Sequence, residues 1–258
     1  MILALLSMEL VSALPVGAPI VKAQKSILYD RDYITSDRFA NAAIPSLEDV
    51  KATGVNIVGT TTNAEMSRIE YIWERLTAWI GKAHSLGMKV FLLTSLWNEP
   101  LTEQTIIYLM KRSAKAGVDY IAFDEFIYQL NLTKQQYDTY FQTALAINKK
   151  IQFIITEWDY DSLCKAYEWF NKYAYVRIAD DNYNDLRLVD DVIELSQKYR
   201  AQLPIVWLIF SVGSQNFDCF QRLGDWMAYV KQRQLDTYFF KIDETGTWQT
   251  QWGTVASY

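Results

Sequence analysis

Eight short apolar runs, each followed by a longer stretch with helical spacing, in a chain of 258 residues predict an α/β fold: a single-domain (β/α)8 TIM barrel. The runs fall at 26–30, 56–60, 89–94, 120–124, 152–156, 175–179, 205–210 and 238–242. They are rich in β-branched and aromatic residues. Their hydrophobicity is continuous rather than alternating, which suits parallel strands buried on both faces. Strand–helix units in series imply right-handed crossovers, and at this length the sheet closes on itself. A doubly wound sheet would use the same units, but no glycine-rich phosphate turn follows the first run.

Residues 1–23 differ from the rest. They are almost free of charge and rich in Leu, Ala and Val, with Pro15, Gly17 and Pro19 towards the end. Val21 and Ala23 have the small-residue spacing expected before a signal-peptidase cut at Gln24, although no basic start precedes the apolar run and Glu9 interrupts it. This segment is expected to be a signal peptide, or else a disordered or barrel-capping extension, with 24–258 as the catalytic domain. Pro15 argues against a stable membrane span. The signal-peptide reading implies a secreted or extracytoplasmic protein.

Each later element has its own signals. Ile69, Ile72, Trp73, Leu76, Ile80 and Ala83 recur at helical spacing after the second run. Gly54, Gly87 and Gly117 each stand just before a run, where a left-handed helix cap is wanted. Pro100 to Thr102 reads as the opening of the next helix, and Thr133 with Gln136 as a capping box. His84 lies beside an apolar helix face and reads as structural; Asp119 reads as a loop residue between helix and strand. Trp73, Trp79, Trp169 and Trp226 read as barrel packing, and Cys164 and Cys219 as two free thiols. Asn131 and Thr133 also match a glycosylation sequon.

Composition narrows the chemistry. Net charge is −5 with a single histidine, and no basic stretch runs along any segment, so nucleic acid is not an expected partner. One His and two Cys leave a transition-metal site without ligands, so neither a metal nor a cofactor is expected.

Barrel active sites lie at the C-terminal ends of the strands. Reading those ends in order gives Asp30, Thr60–Thr61–Thr62, Trp97–Asn98–Glu99, Asp124–Glu125, Glu157–Trp158–Asp159, Asp180–Asp181, Ser211 and Asp243–Glu244. Six of the eight ends are acidic, with indoles close by. Carboxylates can handle hydroxyls and a scissile bond, while indole faces stack on the C–H surface of a sugar. The site is therefore expected to take an oligo- or polysaccharide, with Asp30, Trp97 and Trp158 among the substrate-binding residues.

Residues 116–124, 153–158 and 176–181 resemble strands 4, 5 and 6 of the family 27 α-galactosidases and their clan D relatives, and residues 86–91 fit strand 3 more loosely. The resemblance implies a retaining glycosidase acting on an α-linked sugar. It makes Asp124 the nucleophile and Asp181, four residues after Arg177, the acid/base. It gives Glu157 a sugar hydroxyl to bind and Arg177 a place in the substrate site. Two departures remove galactose specificity: Ala122 stands where the family has a lysine, and Gly59–Thr60–Thr61–Thr62 where it has paired aspartates. Three alternatives remain open: an inactive carbohydrate-binding barrel, a glycosidase of another clan using Asp124 or Glu125 with Glu157, or a barrel enzyme acting on a non-sugar substrate. The Asn98–Glu99–Pro100 stretch resembles the acid/base motif of a further clan, but it falls after strand 3 instead of strand 4.

Overall fold

In a computed structural model, residues 25–29, 34, 46–95, 100–157, 159–181, 186–199, 205–208, 232 and 236–242 are described. Residues 1–23, Cys219 and Trp226 lie outside them. Eight strands close a parallel barrel in sequence order: β1 Lys25–Tyr29, β2 Ile57–Thr62, β3 Lys89–Thr94, β4 Tyr120–Asp124, β5 Gln152–Glu157, β6 Val176–Asp181, β7 Ile205–Leu208 and β8 Asp236–Ile242. Among the described residues the helices between them include α1 Leu47–Ala52, α2 Glu70–Ser85, α3 Glu103–Ala116, α4 Phe126–Leu130, α5 Lys134–Leu145, α6 Tyr160–Phe170 and α7 Leu186–Lys198, with a 3₁₀ turn at Ala64–Arg68. The barrel is the one the sequence predicts. Strand ends differ by one or two residues, and β6 runs later than expected, from Val176 to Asp181.

Local chemistry accounts for the boundaries. Gly54, Gly87 and Gly117 have φ of 85°, 70° and 85°, the left-handed conformation that lets a helix end and a strand begin. Thr102 caps α3 by accepting from the Thr105 amide. Thr133 and Gln136 form the reciprocal box that opens α5. On α2 the expected stripe is buried: Ile72, Trp73, Leu76, Ile80 and Ala83 face the barrel. The Trp73 indole donates to the Met66 carbonyl at 3.0 Å. His84 bonds Asp119 at 3.0 Å, and the same Asp119 oxygen accepts from the Val90 amide at 2.8 Å. The pair thus ties the end of α2 to the starts of β3 and β4. Cys164 is a half-buried free thiol.

The buried side chains form two layers. Ile57, Phe91, Leu93, Tyr120, Ala122, Ile154 and Ala179 fill the barrel interior. The larger cluster lies between strands and helices and includes Val58, Val90, Leu92, Ile121, Phe123, Phe153, Ile155 and Ile178. Behind β4 and β5 this outer layer is rich in aromatic rings. Phe123 sits 5.4 Å from Phe126 and 5.3 Å from Tyr137, and Phe141 sits 4.4 Å from Phe153 and 5.5 Å from Phe170.

One glycine is dictated by packing. Gly59 pairs with Phe91 across β2 and β3, and a Cβ on it would stand 2.2 Å from the fully buried Phe91 ring. Gly59→Ala is therefore expected to overpack the interior and cost about 1–3 kcal/mol, measured as a lower denaturation midpoint in urea at unchanged slope.

Candidate active site

Strand alternation decides which acids reach the mouth. On β4, Tyr120 and Ala122 lie in the interior cluster, so Asp124, two residues on, shares their face. It is 9% exposed and accepts a hydrogen bond from the Ser95 hydroxyl. Ser95 is itself buried and anchored by its amide to the Thr62 carbonyl at 2.9 Å. Burial, and next the Glu125 carboxylate, push the Asp124 carboxyl up to about 7 against the pull of the Ser95 bond. Such a group exchanges its proton near neutrality.

Glu157 corrects the sequence reading. In the β4–β5 register Asp124 lies opposite Thr156, not Glu157. Glu157 alternates with Phe153 and Ile155, which belong to the outer cluster, so it faces the helices. It is 0% exposed. Its Oε1 accepts from the Ile127 amide at 2.8 Å and its Oε2 from the Tyr128 amide at 3.2 Å, pinning the first turn of α4. Burial pushes its carboxyl up to about 8, with the two amides acting in the opposite sense. Bound in this way, Glu157 has no route to a sugar hydroxyl, and no pairing of Asp124 or Glu125 with it can work across the mouth.

Arg177 is also displaced from its expected place. It is the second residue of β6 and pairs with Ile154. Relative to the hydrogen-bonded register, a level through an eight-stranded barrel advances about one residue per strand. On that count Arg177 stands level with Tyr120 and Ile57 in the lowest interior layer, roughly 13 Å of strand below Asp181. It is therefore a residue of the barrel floor, not of the substrate mouth.

The same levels set Asp124 beside the last position of β6, which is Asp181, and beside Thr61 of β2. The layer beneath carries Gly59, Ala122 and Ala179, with Tyr238 at the same level on β8, and the Phe91 ring fills the space over Gly59. The side chains of Asp180 and Asp181 lie outside the described residues, as do Asp30, Trp97, Asn98, Glu99, Trp158, Ser211, Asp243 and Glu244. Asp159 caps α6 by accepting from the Ser162 amide at 3.0 Å.

Sequence reasoning passed over three residues here. Ser95 directly follows β3 and bonds Asp124, and half-buried Thr61 shares the interior alternation of Ile57 and Gly59. Their signal was strand parity, which hydroxyl side chains do not announce. The third, Glu125, had been set beside Asp124 only as an alternative. It is half-buried and takes a left-handed backbone with φ of 57°. Among the described residues no group of three or more His, Cys, Asp or Glu is placed to hold a metal ion, and no helix is long and apolar enough to cross a membrane.

No known family's sequence pattern matches this chain, and no curated protein does so either. Solved structures do resemble it. The catalytic domain of a mannanase from Streptomyces sp. SirexAA-E is 12% identical with a TM-score of 0.60, over 85% of this chain and 75% of that one. Endoglucanase Cel5A from Thermotoga maritima is 12% identical with a TM-score of 0.56, over 82% and 87%. The tryptophan synthase alpha chain from Legionella pneumophila subsp. pneumophila is 10% identical with a TM-score of 0.55, over 92% and 88%. At such identities the likeness is one of fold, and the fold is the (β/α)8 barrel.

Proposed function

We propose that this chain is a secreted, retaining glycoside hydrolase with Asp124 as nucleophile and Asp181 as acid/base. The observation that carries the reading is Asp124. It is an almost buried carboxyl on the inner face at the C-terminal end of β4, held by the Ser95 hydroxyl. The level of Asp181, two strands away, supports the pairing. Solved barrels of this fold include an endoglucanase, a mannanase and an endoxylanase, and equally a tryptophan synthase alpha chain. The site, and not the fold, therefore has to choose the chemistry.

In the first step an Asp124 oxygen bonds to the anomeric carbon, the bond to the leaving oxygen breaks, and Asp181 delivers the proton to that oxygen. In the second, Asp181 takes a proton from water, the water oxygen bonds to the anomeric carbon, and Asp124 leaves as carboxylate. The hydroxyls of Thr61 and Ser95 stand at the level of Asp124 and next to it.

A panel of aryl α- and β-glycosides tests this. Hydrolysis of an α-glycoside with retention, read from the first-formed anomer by NMR, is the expected result; an inverted product removes the double displacement. Asp181→Asn should keep kcat/KM for a dinitrophenyl glycoside, whose leaving group needs no proton, while its kcat falls because the second step has lost its base; kcat/KM for alkyl glycosides should drop by about 10²–10⁴-fold.

A further inference from the structure

Glu125 is one of two non-glycine residues with positive φ among those described, at 57°; the other, Asn131, is of a type that tolerates it. A left-handed glutamate is strained, and such strain gathers where a fold must aim a group. The conformation is fixed from three sides. The Glu125 amide donates to the Thr156 carbonyl at 2.9 Å, and the Glu125 carbonyl accepts from the Gln129 amide at 2.8 Å. The Gln129 side-chain amide donates to Glu125 Oε2 at 2.7 Å. The turn ends β4, starts α4 and fixes the carboxylate on the residue next to Asp124, whose carboxyl it helps to raise.

We propose that Glu125 is a positioning residue of the catalytic site, and that its left-handed backbone is retained to hold a second carboxylate beside Asp124. The inference rests on the functional reading of Asp124 given above. Glu125 acts through charge. While ionised, it holds the proton on Asp124, so the two residues together decide the pH at which Asp124 becomes free to attack. Ser95 faces Asp124 from β3 and opposes this. Asp181 closes β6 at the same level, Asp30 follows β1, Arg177 stands in the floor of the barrel, and Glu157 faces Glu125 from β5.

Two substitutions separate charge from strain. Glu125→Gln keeps the side chain and its neighbours but removes the charge. The acidic limb of kcat/KM against pH should then move to lower pH, with about a threefold or greater gain at pH 5.5 relative to pH 8. Glu125→Gly relieves the backbone as well, and should melt about 2 °C or more above Glu125→Gln. An NMR titration of the Asp124 carboxyl carbon in aspartate-labelled protein reads the same coupling without turnover, and should shift downward in both variants. An unmoved titration overturns the proposal, as does Glu125→Gly melting below Glu125→Gln. A shifted titration in a protein that hydrolyses no glycoside upholds the coupling and removes only the functional reading.

Discussion

Asp124→Asn is expected to lower turnover of an activated aryl glycoside by about 10⁴-fold or more while leaving the protein folded. Asparagine can still accept the Ser95 hydrogen bond, and it removes a carboxyl that burial disfavours as an anion. Retained turnover would take the nucleophile away from Asp124. The wild-type pH profile gives the sign. The Asp124 carboxyl is raised from 3.8 to about 7, so the attacking carboxylate gains population as pH rises through 7, and kcat/KM should climb there. An Asp124 acting as proton donor would give a limb that falls through the same range. For stability the order reverses. A raised carboxyl contributes fully below its unfolded value of 3.8 and loses that contribution as pH rises through 7, so Asp124→Asn should flatten this part of the stability profile.

Removing Glu157, which lies behind the mouth, should damage the fold more than any single change at the mouth itself. Glu157→Ala leaves the Ile127 and Tyr128 amides without an acceptor, in a place where water does not reach Glu157. The expected cost is about 2–4 kcal/mol, measured by urea denaturation, with loss of the α4 turn. Glu157→Gln should cost less, since one amide keeps an acceptor while the other meets an NH₂ group. The pH dependence again carries a sign. Burial raises Glu157 from 4.5 to about 8, so its contribution is full below pH 4.5 and is lost as pH rises through 8. Wild-type stability should therefore decline between pH 5 and 8.5 more steeply than that of Glu157→Gln. An equal slope in the two proteins would mean that Glu157 is ionised throughout. Comparing both in the Asp124→Asn background separates the two carboxyls.

The barrel was legible because its signals are local. Continuous apolar runs, three glycines at helix ends and the Thr133–Gln136 box each specify their own few residues, and all were found where expected. Asp124 was legible for a similar reason: it follows a run whose end it marks. Glu157 and Arg177 were misplaced by the property that identified their strands. A run apolar on both faces carries no alternation, so the sequence of β5 does not say whether Thr156 or Glu157 looks inward. Only pairing with β4, which sets Asp124 against Thr156, decides it. Arg177 was read as part of the mouth from its spacing to Asp181, and that spacing runs down the strand. The hydroxyls of Ser95 and Thr61 escaped notice because their types are common in any strand, and their role comes from what stands across from them.

The aromatic packing behind β4 and β5 bears on how this mouth can work. Phe123, immediately before Asp124, is wedged among Phe126, Tyr137, Tyr140, Phe141 and Phe153. Rings interlocked at this density leave the backbone of β4 little room to breathe, and its amides should be among the last to exchange with solvent. Asp124 is thus mounted on a rigid quarter of the barrel, already aimed before any ligand arrives. On the proposed function, little reorganisation remains to be made at that carboxylate when a sugar binds.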